Sequence, residues 1–374
     1  MKSLSFVWRV LALMSIAMTA TSGAHAQLRI GMPSGFTGSA AAGVKENTEG
    51  AKLYIDAVNR HGGVHGQQLE LITVDDHFDP ATTAAVGRRL ITEQGVLALF
   101  LNRGTPHAQA LLPLLTEFHI PLVGPSTGAM ALHDPLQPWV FNVRAPYQRE
   151  ATKAIRHLAS LGMTRIAVLQ TDDSFGADAA LGADKGFAAA GLKPALLQKF
   201  PREKPDFADL ANKVKTSDAQ AVLYIGSSGS VASGIKALRA AGSTVQVVTL
   251  SNNASEGFIK LLGDQARGVI VTQVFPNERA INYHLIKEAQ ELAKAKGLSG
   301  VSPAMIEGFA AAKILVEGLR RAGPKPTGTS LRDALESLQK FDIGGLEISY
   351  SASSHSGLDF ADLSIIGADG KFMR

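Results

Sequence analysis

The chain has 374 residues, 45% of them hydrophobic, with 37 basic against 33 acidic side chains and no cysteine. So even a balance, with no basic run, excludes an electrostatic footprint for nucleic acid, and the lack of cysteine excludes both a disulfide framework and a lipid-anchor cysteine. The length exceeds what one hydrophobic core usually holds and predicts two lobes.

The first 26 residues read as a cleavable leader. Lys2 and Arg9 precede an apolar run over residues 10–20 that is too short to span a bilayer, and Ala24-His-Ala26 supplies a small-x-small cleavage site. The mature chain is expected to start near Gln27 as a soluble monomer in the periplasm. Losing Lys2 and Arg9 lowers the 37 basic residues to 35 against 33 acidic. No other apolar stretch approaches the roughly 20 residues of a membrane helix.

From there, short β-branched runs at residues 28–32, 69–74, 96–101 and 120–123 alternate with helical patterns at 47–59, 82–93 and 108–118. Three prolines within residues 135–147, around a short strand, read as a crossing between lobes. A second series has strands at 165–170, 221–225, 246–250 and 269–274 and helices at 149–160, 206–214 and 231–241. The pattern then turns helical at 282–296, 303–321 and 330–339, followed by late strands at 341–350 and 361–366 and a closing turn at 367–370. Alternating helices and nearly continuous apolar strands predict an α/β fold with parallel sheets covered on both faces. The expected lobes share the chain discontinuously, 27–145 with 277–350 and 146–276 with 351–374, joined by about three hinge strands.

Within this frame, Gly124-Pro-Ser-Thr-Gly128 matches the G-x-S-x-G pattern of a serine nucleophile elbow. An elbow needs a strand, a sharp turn and then a helix whose N-terminus helps to form the oxyanion site. The strand is present, but only residues 129–134 separate the turn from Pro135, which leaves little room for that helix. A secreted serine hydrolase using Ser126 is therefore the rival to a non-enzymatic reading. The glycines at 226, 229 and 234 do not form G-x-G-x-x-G, and no acid lies near residue 246, so no dinucleotide cofactor is expected. Asp75-Asp-His-Phe-Asp79 reads as a solvated strand end before a helix rather than a metal site, and Gly62-Gly63 denies His61 and His65 a common helix face. Asp173 or Ser174 either caps the next helix or faces a ligand.

Four loops thus follow strands, at residues 102–105, 124–128, 172–176 and 226–229, with Ser34-Gly-Phe-Thr-Gly38 after the first strand. Together with Asn59-Arg-His-Gly-Gly-Val-His-Gly66, Asp75-Asp-His-Phe-Asp-Pro80, Ile120-Pro-Leu-Val-Gly-Pro125, Asp172-Asp-Ser-Phe-Gly176, Glu307-Gly-Phe-Ala-Ala-Ala-Lys313 and Asp369-Gly-Lys-Phe372, they carry a resemblance over nearly the whole mature chain. The chain resembles the leucine/isoleucine/valine-type (type I) periplasmic substrate-binding proteins of ABC importers.

The resemblance implies two Rossmann-like lobes that close on a small ligand, without chemistry, and hand it to a membrane permease. A sensing module that passes its ligand to a signalling receptor is the alternative partner reading. By position, Thr105, Ser126 and Thr127 would hold the ligand's carboxylate, while Phe175 and Ser227 face it from the second lobe. Amino-acid binders of this family carry an acid for the ligand's ammonium in the loop after the strand at 246–250, where this chain has Ser251, Asn252 and Asn253. An aromatic residue that often packs on the ligand is replaced by Ala40-Ala-Ala-Gly43. Either Asp172 or Glu307 supplies the missing acid, or the ligand is a carboxylate without an α-amino group, such as an aromatic or short aliphatic acid. The second reading is favoured.

Overall fold

The computed structural model describes residues 27–373. The expected leader, residues 1–26, lies outside the described residues.

The first lobe is built from β1 (Gln27–Ser34), α1 (Ala41–Arg60), β2 (Gln68–Asp75), α2 (Pro80–Thr92), β3 (Ala98–Phe100), α3 (Thr105–Phe118), β4 (Leu122–Val123) and β5 (Val140–Phe141). Its five strands lie in the order β2-β1-β3-β4-β5 and are all parallel. β1, β3 and β4 are buried along most of their length, as strands covered by helices on both faces must be.

The second lobe contains α4 (Tyr147–Ser160), β6 (Ile166–Thr171), α5 (Ser174–Ala190), β7 (Leu196–Phe200), α6 (Phe207–Thr216), β8 (Ala221–Ile225), α7 (Ser228–Ala240), β9 (Gln246–Thr249), α8 (Glu256–Leu262) and β10 (Ile270–Gln273). The chain then forms α9 (His284–Ala295), α10 (Pro303–Ala322), α11 (Gly328–Glu336) and the hairpin of β11 (Phe341–Asp342) and β12 (Glu347–Ile348). Leu285, Phe309, Leu331, Ile348 and Leu358 from this stretch share the first lobe's core with Ile30, Phe100 and Phe141. α10 lies directly on α1. A Cβ at Gly50 would stand 1.9 Å from the Met305 carbonyl oxygen, and one at Gly308 1.8 Å from that of Asn47, so these backbones touch only because both residues are glycine.

β13 (Asp362–Ile366) and β14 (Phe372–Met373) return to the second sheet, whose order is β14-β13-β10-β9-β8-β6-β7. The sheet is parallel from β10 through β7, as expected, with an antiparallel edge added: β13 pairs antiparallel with β10, and β14 folds back on β13 through the turn that closes the chain. Four elements of this lobe have no counterpart among the expected ones: β7, α5, the short α8 and the two-residue β14. β7 is an edge strand with alternating half-exposed residues, and α5 is rich in alanine and glycine, so neither presents a strong apolar period.

Candidate ligand-binding site

The two sheets present the carboxyl ends of their parallel strands to a single small cavity. Phe78 follows β2, Arg103 and Thr105 follow β3, Ser126 follows β4, Tyr147 follows β5, Phe175 follows β6, Ser227 follows β8 and Asn252 follows β9, and all line it. This is the crevice in which open parallel sheets bind ligands.

The lobes are closed. The amide of Gly229 donates to the Ser39 carbonyl at 2.9 Å, Ser174 Oγ to Gln109 Oε1 at 2.7 Å, and the amide of Ala304 to the Ala254 carbonyl at 3.0 Å. Glu46 on α1 reaches across to the start of α8 and accepts from the amides of Glu256 at 3.0 Å and Gly257 at 2.7 Å. In this state the cavity measures about 20 Å³, roughly the space of one water molecule.

Its floor in the first lobe is made of hydroxyls. Thr105 Oγ1 and Thr127 Oγ1 lie 2.8 Å apart, and Ser126 Oγ lies 3.0 Å from the Asn47 side chain. The Asn47 amide is satisfied when its oxygen accepts from Ser126 Oγ and its nitrogen donates to the carbonyls of Gly43 at 2.9 Å and Ala304 at 3.3 Å. Ser126 also accepts from Arg103 Nη1 at 3.2 Å, while Arg103 Nη2 donates to the carbonyl of Asn252 in the opposite lobe. No α-helix begins after Ser126, where the chain makes a 3-10 turn at Met130–Leu132. The hydroxyl is thus held by an amide and a guanidinium, not by an imidazole.

Arg103 is the residue that sequence reasoning missed. It is only 5% exposed, and among the described residues no carboxylate lies within ion-pairing distance of it. Burial pushes the guanidinium down from its ordinary value, with Glu307 the strongest influence in the other direction. Two local features aim it inward. Gly104 takes φ +101, which only glycine adopts freely, and a Cβ on Gly43 would stand 2.9 Å from Arg103 Nη2. The Ala40-Ala-Ala-Gly43 stretch therefore clears the space that the guanidinium fills. That coupling between a small residue on α1 and a strand-end arginine was the only signal available in the sequence.

The expected site residues divide. Thr105, Ser126, Phe175 and Ser227 line the cavity, and Thr127 is buried behind it against Thr105. Ser251 is buried outside the lining, accepting from Arg144 Nη2 at 2.9 Å. Asp172 points away and pairs with Lys199 at 3.1 Å. Glu307 is buried but does not line the cavity, and its Oε1 has no hydrogen-bond partner in the protein. Asp173 caps α5 by accepting from the Gly176 amide at 2.9 Å and pairs with Arg202.

Phe78 is held in the lining by the turn after β2. Asp76 accepts from the Phe78 amide at 2.9 Å and from Thr83 Oγ1 at 2.7 Å, while His77 and Phe78 take φ +55 and +56. Burial pushes the Asp76 carboxyl from its ordinary 3.8 up to about 6. A folded value above the unfolded one means that protonation favours the fold: this contribution is present below pH 3.8 and is lost as pH rises through about 6. Asp76→Asn keeps the acceptor for Phe78 and can donate to Thr83. The variant is expected to melt higher than the parent at pH 7.5 and level with it below about pH 4 in differential scanning calorimetry. An equal or lower melting temperature at pH 7.5 would show that the carboxylate itself is needed for the turn.

Two α/β lobes closed over a buried cavity of hydroxyls, arginines and aromatic rings at their strand ends have the architecture of a two-lobed small-molecule-binding protein. Residues 27–359 match the profile of the family described as periplasmic binding protein, and the chain belongs to that family. It is 23% identical over 329 residues to the leucine-, isoleucine-, valine-, threonine- and alanine-binding protein of Pseudomonas aeruginosa, covering 87% of each chain. Among solved structures, a substrate-binding periplasmic protein from Ralstonia solanacearum superposes with a TM-score of 0.85 at 31% identity, over 92% of this chain and 99% of the other. A branched-chain amino acid ABC transporter protein from Thermus thermophilus with bound valine shares the fold, with a TM-score of 0.82 at 20% identity over 93% and 94% of the two chains.

Proposed function

We propose that this protein is the periplasmic substrate-binding component of an ABC importer, which captures a small carboxylate-bearing ligand between its lobes and delivers it to a membrane permease. The observation that carries the reading is one cavity lined from both lobes by hydroxyls, Thr105, Ser126 and Ser227, with the buried Arg103 among them. Hydroxyls and a guanidinium are donors suited to an anion, and hydrogen bonds to a charged group contribute about 1.5 to 3 kcal/mol each. The amino-acid-binding relative in Pseudomonas aeruginosa supports a small carboxylate-bearing ligand, and this reading takes in an amino acid or an aromatic or aliphatic acid. A thermal-shift screen of amino acids and their deaminated counterparts tests the reading, because a ligand at 100 times its Kd adds about 2.7 kcal/mol of stability. A screen in which no carboxylate raises the melting temperature would overturn it.

Capture of this kind depends on closure, which one glycine controls without touching the cavity. A Cβ on Gly257, in the first turn of α8, would stand 2.7 Å from Ala42 Cβ on α1. Alanine suits a helix better than glycine by about 1 kcal/mol, so Gly257→Ala obstructs only the approach of the lobes. Ligand affinity should fall about tenfold, with the change in the dissociation rate. An unchanged Kd in stopped-flow titration would mean that the two helices are not in contact in the liganded form.

A further inference from the structure

Resting on the carboxylate-capture reading, we infer that the ligand is a carboxylate without an α-ammonium group, carried on a flat aromatic body. The charge of the lining is the first ground. Among the described residues it contains two arginines, Arg103 and Arg202, and no carboxylate. Arg202 already pairs with Asp173, whereas Arg103 donates only to Ser126 Oγ and the Asn252 carbonyl. A buried guanidinium with no ion-pair partner in contact, helped only from a distance by the Glu307 carboxylate outside the lining, is expensive, and a planar carboxylate is the partner that matches its two parallel N-H groups.

The second ground is what the opposite wall has left to offer. An ammonium brings three donors and a charge. In the loop after β9, where Asn252 lines the cavity, the Asn252 carbonyl is taken by Arg103, and the Asn252 and Asn253 side-chain amides donate to the Gly226 carbonyl at 2.9 and 3.2 Å. Ser228 Oγ is likewise committed to Asn253 Oδ1 at 2.9 Å. Asn252 Oδ1 is buried without a partner, and a neutral amide oxygen suits a single hydroxyl rather than an ammonium.

Shape is the third ground. Phe78 enters from the first lobe, and Tyr147 and Phe175 from the other side, with ring centroids 4.8 Å apart and planes tilted by 60°. Phe78 is stacked on His107 at 4.3 Å and lies under the Arg202 guanidinium at 4.9 Å, so it offers the cavity its edge, and three aromatic side chains around a nearly shut cavity favour a thin ring over a branched aliphatic chain. Admission of that ring requires the Arg103 guanidinium to leave the Asn252 carbonyl, so the ligand's carboxylate replaces an interlobe bond that the protein makes to itself.

The test is isothermal titration of the mature chain with benzoate, 4-hydroxybenzoate and phenylacetate, against phenylalanine, leucine and 4-methyl-2-oxopentanoate. The expected result is binding of at least one aryl carboxylate, with phenylalanine and leucine at least 100-fold weaker. Phenylalanine or leucine binding as tightly as the aryl acids would overturn the inference and leave carboxylate capture standing. Tight binding confined to 4-methyl-2-oxopentanoate would overturn its aromatic half. If none of the six binds, the inference and the reading beneath it both fail.

Discussion

Replacing Arg103 by methionine is expected to weaken binding of the carboxylate ligand at least 100-fold while leaving the empty protein as stable as the parent, or more so. Both effects have the same origin. The guanidinium is buried at the junction of the lobes, bonded to a hydroxyl and a carbonyl and facing no carboxylate within ion-pairing distance. Without ligand, a buried cation with no ion-pair partner in contact destabilises the fold, and a methionine of similar length relieves that penalty. With ligand, two charge-assisted bonds of about 1.5 to 3 kcal/mol each are lost, which corresponds to 100-fold or more in Kd. Arg103→Lys keeps the charge but not the planar fork, and should fall between the two. Calorimetric titration and thermal melting of the same preparations read out both signs. A Kd within threefold of the parent would place the ligand's carboxylate on the hydroxyls alone.

The parts of this site that were legible in the sequence are those that follow from sheet topology. Thr105, Ser126, Phe175 and Ser227 stand in the loops or first helical turns after apolar strands, and parallel sheets bring such segments together at one edge. Which residue within a loop turns inward is a finer matter. Asp172 and Asp173 are neighbours, yet one pairs outward with Lys199 and the other caps α5, a choice made by the backbone conformation at the end of β6. Arg103 was hidden for a different reason. A strand-end arginine normally reads as solvated, and only the space left by Gly43 on a separate helix makes it a buried group. Pairwise fits of this kind carry no local period. The same holds for β7, whose half-exposed edge pattern gives no continuous apolar run, and for the antiparallel β13 and β14, whose direction is set by where α9 to α11 return the chain.

Arg144→Leu should produce the largest loss of stability of any single change around the cleft, about 3 to 5 kcal/mol or roughly 10 °C in melting temperature. Arg144 and Glu150 form a fully buried ion pair, in which Arg144 also donates to Ser251 Oγ and Glu150 accepts from the Ser251 amide at 2.9 Å and from Thr272 Oγ1. The pair ties the crossing after β5 to the β9 loop and to β10, and the Arg144 guanidinium lies 4.4 Å over the Tyr147 ring that lines the cavity. Leucine would leave the Glu150 carboxylate buried and uncompensated. Burial already pushes this carboxyl above its ordinary value, and the pull of Arg144 is the main influence against that rise. For a folded value above the unfolded one, the contribution to stability is present at low pH and is lost as pH rises through the folded value. Removing Arg144 raises the folded value further, so the deficit of the variant should be greatest at pH 7.5 and should narrow on acidification towards pH 4.5. Thermal melting of parent and variant at the two pH values measures this. A deficit that does not change with pH would assign the loss to packing against Tyr147 instead of to the stranded charge, and the double variant Arg144→Leu/Glu150→Gln, which removes both charges, would then recover nothing.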